Sequence, residues 1–488
     1  MSAPSSKSDT EMILCMNDLR DAATSRLPVE ARGKSHRTIG SIEDWLMDRN
    51  PQEFYNSGSD EQITVRENTT AYGKYRLRPR VLVDVSESDT TTSVFGRQID
   101  FPLCVSPTGL QAMAHPDGEL ATTRACAKRN INMGVSSFTN TVVEAVRAAA
   151  LKIAPIEHAM QLYSMKDRVK QEALVKRAEA AGVKAIFLTA DSPVLGVRYN
   201  EVRNDFRTPS GLDFPMLGWT SEEIRSRTHD NSFTAFNSDA HSWLKEIPWL
   251  RSITKMEIWI KGILTAEDVL LAREYGCDGV VISNHGGRQL DGVPATIDAL
   301  PECVAAADGK IKVHIDGGIR SGADIFKALA LGAECCWVGR PVIWGLAYDG
   351  EAGVTKMLDM LHTEFRRCML LAGCRTVSDI TKASLALQQG KLTEVDIDQR
   401  ARTVLEFIER LEGFKDPEVS VERAFDRPEH RALIQEAGAR GVVLLKNENE
   451  VLPITKDKAK GRQIALFGYL PGASAAAYHQ GLFVELDG

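Results

Sequence analysis

From Phe101 onward, short apolar runs rich in Val and Ile alternate with stretches of helical character. That is the pattern of parallel strands buried on both faces and joined by helices. Eight such runs follow one another: 102–107 (PLCVSP), 132–137 (NMGVSS), 158–163 (HAMQLY), 185–191 (AIFLTAD), 257–262 (EIWIKG), 279–286 (GVVISNHG), 312–318 (KVHIDGG) and 335–341 (CCWVGRP). The intervening helices carry boundary signals. Thr265 and Ser321 stand as N-caps with Asp268 and Asp324 three residues on, and Gly182, Gly276 and Gly332 lie just past the last turns. Eight strand–helix units over 102–373 fit the roughly 250 residues of a (β/α)8 TIM barrel, so the predicted fold class is α/β, with the barrel over 101–386.

Three segments fall outside that rhythm. Residues 1–100 show no periodic core pattern and are expected to form an irregular, partly helical N-terminal segment packing on the barrel. The stretch 192–256 after the fourth strand mixes Gly, Pro and Trp irregularly and far exceeds the usual two to six residues of such a loop. An active-site lid is expected there. Past about 386 the pattern changes to a charged helix (396–412), a Pro-containing link (413–428), a second helix (429–440) and the apolar runs GVVLLKN and QIALFGY, so 387–488 reads as a C-terminal appendage.

Bulk properties narrow the function classes. The chain is 43% hydrophobic and 26% charged, a globular composition. No apolar run approaches the roughly 20 residues of a membrane-spanning helix. A net charge of −7 gives no general attraction to nucleic acid or anionic lipid, so neither is an expected partner. Nine cysteines without a C-x-x-C pair favour neither a disulfide framework nor a zinc ribbon, and a reducing compartment follows. The polar, acidic start and the ending VELDG resemble neither a secretory signal nor a peroxisomal address, which makes the cytoplasm the expected location.

In a barrel of this kind catalytic groups project from the C-terminal ends of strands. Here nearly every run ends on polar residues: Thr108, Ser136, Gln161 with Tyr163, Thr189 with Asp191, Lys261, His285 with Arg288, Asp316 with Gly317 and Gly318, and Gly339 with Arg340. DGGIRSG sets two glycines and Arg320 before a helix capped by Ser321, and GRP adds Arg340. Backbone N–H groups, a helix N-terminus and two guanidinium forks can thus meet one phosphate. In SNHGGRQLDG, His285 can take a proton at neutral pH, and the two glycines let Arg288 grip a carboxylate beside it. That is hydroxy-acid chemistry in outline. Asp191, two strands away on the same rim, can orient the imidazole. Lys261 ends an apolar strand, where an anionic ring system would be a suitable partner. The alternatives are a plain βα turn for the glycines, a turn cap for Asp191 and a snorkelling Lys261. His115, His158, His314 and His362 have no metal-ligand spacing, and no metal is expected.

With these residues in hand, 50–385 resembles the FMN-dependent 2-hydroxy acid dehydrogenase family, which includes glycolate oxidase, lactate oxidase and mandelate dehydrogenase. The strings that carry it are RPRVLVDV, SPTG, HPDGELATTRA, QLY, LTADSPVLGVR, KGI, SNHGGRQLDGVPATI, DGGIRSGADIFKALALGA and VGRP, in the family's order. The resemblance implies FMN at the barrel mouth, with Pro107, Thr108 and Gly109 along the flavin and Ser136, Gln161 and Thr189 around its ring. Lys261 would meet the ring edge with Ser283 nearby, while Asp316 to Arg320, Gly339 and Arg340 hold the phosphate. It further implies oxidation of a small L-2-hydroxy acid to the 2-oxo acid, with His285 as base and Asp191 as its support. Arg288 and Arg198 would face the substrate carboxylate, Tyr163 would donate to the substrate oxygen, and electrons would pass from reduced FMN to oxygen or another acceptor. A homo-oligomer, tetramer or octamer, is also implied.

This sequence departs from the family pattern in places. Phe54, followed by Tyr55, stands where the family has a carboxylate-binding Tyr. Phe138 replaces a pocket Trp, and Gly109 an Ala common in oxidases. Residues 390–470 resemble instead the linker and second-domain start of family 3 glycoside hydrolases, carried by GKLTEVDIDQRARTVLEFIERL and HRALIQEAGARGVVLLKNENEVLPI. A glycosidase-related protein is therefore the alternative class, and a barrel holding FMN as a scaffold without turnover is a third.

Overall fold

The computed structural model describes residues 13–26, 54–226, 229–387, 463–466 and 482–485. The eight predicted strands all form: β1 (Leu103–Val105), β2 (Met133–Val135), β3 (His158–Leu162), β4 (Ala185–Thr189), β5 (Glu257–Ile263), β6 (Gly279–Ile282), β7 (Lys312–Asp316) and β8 (Cys335–Val338). Each pairs in parallel with the next, and β8 returns to β1, closing the barrel. The Val- and Ile-rich composition follows from that closure, since one face of every strand looks into the barrel and the other onto a helix.

The boundary signals act as read. The Thr265 hydroxyl accepts from the Asp268 N–H, and Ser321 with Asp324 forms a reciprocal capping box. Gly182, Gly276 and Gly332 take positive φ of 80°, 67° and 105° just beyond their helices, the left-handed exit that favours glycine. Inside the barrel, Phe187, Trp259 and Trp337 fill the space with small neighbours such as Ala159 and Ala185. A hairpin, Thr92–Val94 with Arg97–Ile99, inserts Phe95 between these rings, 5.6 Å from Trp259 and 6.2 Å from Trp337. Asn132, at the start of β2, donates to the Val94 carbonyl. The hairpin therefore plugs the N-terminal end and leaves the C-terminal end for chemistry.

The segments before and within the barrel pack on it or connect it, and two expected boundaries shift. The N-terminal segment lacks periodicity because its described part does not form a layer of its own. Phe54, Tyr55 and the helix Ile63–Thr70 pack at the barrel mouth while the hairpin seals the other end. Within 192–256, the helix Trp243–Ile253 is the ordinary connection from β4 to β5, so the lid expectation applies to 192–242, which holds the short helices Tyr199–Arg203, Ser221–Arg225 and His229–Phe236. The barrel unit ends at Gln388, since Leu385–Leu387 pairs antiparallel with Tyr75–Leu77. In the second unit, Gln389–Gly488, the apolar run QIALFGY contains the strand Gln463–Leu466, which pairs with Leu482–Glu485, a strand the sequence reading missed. The expected helices over 396–412 and 429–440 and the run GVVLLKN lie outside the described residues.

Candidate active site

A cavity of about 1490 Å³, measured out to its open mouth, occupies the C-terminal end of the barrel. All the predicted site residues line it except Asp191 and Ser283. Those two stand one layer behind, Asp191 against His285 and Ser283 against Lys261.

His285 opens the turn after β6, and His285, Gly286 and Gly287 take φ of 57°, 65° and 73° in succession. A left-handed His is uncommon, and such strain is found where a side chain must be aimed. A Cβ on Gly287 would lie 2.7 Å from the Val65 backbone nitrogen and one on Gly286 2.9 Å from an Arg340 nitrogen, so the left-handed backbone and the close approach of Val65 call for the two glycines after His285. His285 Nδ1 lies 3.0 Å from Asp191 Oδ1, which also accepts from Ser192 Oγ at 3.0 Å. Gln289 fixes this loop by donating to the carbonyls of Asp191 and Val194. Burial lowers the His285 pKa, aided by Lys261 and opposed by Asp191. Burial works to raise that of Asp191, but the charges of His285 and Lys261 and two hydrogen bonds hold it below the usual carboxylate range. The pair is thus a neutral imidazole backed by a carboxylate, with Nδ1 engaged and Nε2 left for the cavity. Such a group accepts a proton and is stabilised once charged.

Four guanidiniums converge on the same cavity. Arg340 donates to the carbonyls of Tyr55, Gly286 and Ser57. Arg288 donates to Phe54 and Ser57 and stands 5.0 Å over the Phe54 ring. Arg198 pairs with Glu201, and Arg320 lies over Trp344. Burial and the neighbouring Arg198 push Arg288 down to about 9, burial takes Arg320 to about 10, and Arg340 falls well below its ordinary value through burial and its three companions. A guanidinium keeps its proton in a protein. The lowering therefore registers first the burial of these charges and, for Arg288 and Arg340, the cations beside them; a bound anion would offset both.

The phosphate side needs one correction. The helix capped by Ser321 was expected to offer its N–H groups, but those of Arg320 and Ser321 go to Asp324 and that of Gly322 to Glu364. The helix N-terminus that lines the cavity is instead that of Arg340–Ala372, with Gly339 as N-cap. Gly318 is forced by packing, since a Cβ there would meet the Asn68 carbonyl at 1.7 Å. Deeper in, Lys261 Nζ donates to Ser283 Oγ at 2.8 Å and lies 3.5 Å from Asp316. Gln161 links Ser136, Ser137 and Thr189 across β2 to β4. Burial, with the charge of Asp191, raises the Tyr163 pKa, so its hydroxyl stays a donor.

The sequence reading missed much of the outer wall. Leu195, Phe206, Phe214, Ile224 and Phe233 all come from the segment after β4, and Phe206 stacks on Phe54 at 4.5 Å. Their scattered aromatic positions carry no period that would have marked them. Glu201 and Gln289 were also missed, though Glu201 follows Arg198 by one helical turn and Gln289 belongs to the SNHGGRQLDG string.

An anion cradle at β7 and β8 and a carboxylate-backed histidine beside an arginine pair, all in one barrel mouth, define an enzyme that uses a phosphate-bearing cofactor on an acidic substrate. The FMN-dependent dehydrogenase family matches residues 45–387, and the chain belongs to it. It is a flavin-dependent oxidoreductase. Glycolate oxidase 3 of Arabidopsis thaliana is 46% identical over 336 residues, 68% of this chain and 90% of the relative. The 2-hydroxyacid oxidase 1 of Homo sapiens is 41% identical over 379 residues, 76% and 95% respectively. The crystal structure of mandelate oxidase with (S)-4-hydroxymandelic acid superposes with a TM-score of 0.66 at 33% identity, covering 77% of this chain and 98% of that one.

The residues present fit FMN. Ser106 Oγ and Asp316 Oδ1 are buried at the cavity without a hydrogen-bond partner among the described residues, a lack that a polar ligand remedies. The arginine excess suits a phosphate. Arg340, Arg320, Gly318 and Gly339 would hold that phosphate, with Lys261 and Gln161 at the ring.

Proposed function

We propose that this enzyme oxidises L-2-hydroxy acids with a bulky apolar side chain to the 2-oxo acids, with His285 as general base. The observation that carries the reading is the neutral, Asp191-backed His285 sharing one cavity with Arg288 and Arg198. Bound FMN supplies the acceptor for the two electrons. Arg288 and Arg198 hold the substrate carboxylate, and the Tyr163 hydroxyl donates to the substrate oxygen. His285 Nε2 then takes the substrate proton, and Asp191 stabilises the resulting imidazolium. The aromatic wall excludes water and strengthens each of these interactions.

Side-chain preference follows from position 54. Phe54 brings no hydroxyl, and Tyr55 does not replace it, because the Tyr55 hydroxyl is bound to the Leu110 carbonyl at 2.6 Å. One donor to the carboxylate is therefore missing, and contact with Phe54, Phe138, Phe206 and Phe233 must offset it. Comparing kcat/KM for glycolate, lactate, mandelate and a long-chain 2-hydroxy acid tests this. Mandelate or the long-chain acid should lead, and glycolate as best substrate overturns the preference. The same reading takes the enzyme as a cytoplasmic homo-oligomer, which microscopy of the tagged protein and light scattering check.

A further inference from the structure

Glu201 lies three residues past Arg198 on the helix Tyr199–Arg203 and is only 8% exposed. Its Oε1 accepts from Arg198 Nη1 at 2.9 Å and from Arg288 Nη2 at 3.4 Å, while Arg198 Nε donates to the Arg288 carbonyl at 3.4 Å. The three residues close a ring. Both guanidiniums line the cavity, and the carboxylate stands behind them.

We infer that Glu201 is a positioning residue that sets the charge of the arginine pair to match a monocarboxylate substrate and to disfavour a dicarboxylate. The inference rests on the reading that Arg198 and Arg288 hold the substrate carboxylate. Within the ring two cations and one anion sum to a single positive charge, and with Arg340 and Arg320 assigned to the cofactor phosphate, one substrate carboxylate balances what the ring leaves. A second carboxylate on the ligand meets no further cation from this ring and is repelled by Glu201, and at a buried site such an imbalance is poorly screened. The charge is separable from the geometry. Arg288 is also held by the carbonyls of Phe54 and Ser57 and by the Phe54 ring, and Arg198 by the Arg288 carbonyl. Removing the charge of Glu201 therefore leaves other contacts in place for both arginines.

The test uses flavin-loaded enzyme, with pyruvate and oxalate titrated against the flavin absorbance band. Glu201→Gln and Glu201→Leu remove the charge, and Glu201→Asp keeps it. An uncharged variant should shift the ratio of oxalate to pyruvate affinity toward oxalate by about tenfold or more, while Glu201→Asp keeps the wild-type ratio. An unchanged ratio in an uncharged variant overturns the inference. So does loss of flavin from both uncharged variants, which would make Glu201 a support of the scaffold. Arg288→Lys, run in parallel, separates this from the underlying reading. If it leaves pyruvate binding unchanged, the carboxylate assignment fails. If it weakens pyruvate while the Glu201→Gln ratio stays put, only the role of Glu201 fails.

Discussion

Replacing Asp191 by Asn keeps the shape of the side chain and removes its charge, so it isolates what the carboxylate does for His285. In the folded protein Asp191 Oδ1 lies 3.0 Å from His285 Nδ1, and the two side chains are only 12% and 23% exposed. Once His285 has taken the substrate proton, the two become an ion pair with charge centres about 4 Å apart, worth about 4 kcal/mol at an effective dielectric constant of about 20. Asn still offers an oxygen to Nδ1 and retains part of that, so flavin reduction should slow by about 10²- to 10³-fold. The pH profile adds an independent sign. Burial holds the His285 pKa below its ordinary value and Asp191 partly restores it. The base form exists above that pKa, so the acid limb of kcat/KM in the wild type falls below the ordinary value of about 6.5. Removing Asp191 removes the restoring charge, and the limb should move further toward acid. Anaerobic stopped-flow reduction of the flavin across pH reads both effects. A reduction rate equal to wild type, or an acid limb displaced toward alkaline pH, refutes the assignment of Asp191 as the support of the base.

Two further outcomes follow from the geometry. His285→Asn, chosen because Asn tolerates the left-handed backbone at this position, should purify yellow with FMN yet lose about 10²- to 10⁴-fold in flavin reduction by substrate; normal reduction would remove His285 from the mechanism. Truncation after Gln388, which preserves the pairing of Leu385–Leu387 with Tyr75–Leu77, should leave the flavin-to-protein ratio and turnover intact. A colourless or inactive product would show that the second unit contributes to the site.

The chain's own order of residues determined the barrel and the place of its chemistry. Parallel strands and capped helices are written in short-range patterns, so the eight runs, the Ser321–Asp324 box and the glycine exits could be read locally. Closing eight parallel strands then brings all their C-terminal ends together, which makes the polar residues after each run neighbours whatever their separation along the chain. The string SNHGGRQLDG likewise announced a base beside a cation, because the left-handed curl it needs is a property of adjacent residues. Other features had no local signature. Phe54 meets Phe206, 152 positions further along the chain, and Arg340 donates to carbonyls of Tyr55 and Ser57 that lie 285 and 283 residues away. Such contacts form where irregular segments fold over the barrel mouth, and irregular backbone imposes no period on the side chains it buries. For the same reason only the folded chain shows that Asp324 and Glu364 occupy the N–H groups at the start of the Ser321-capped helix. It alone shows, too, that Tyr55 is tied to Leu110 and that Glu201 stands behind both substrate-side arginines. Local periodicity decided the scaffold, and long-range packing of aperiodic segments decided the walls and charge of the site.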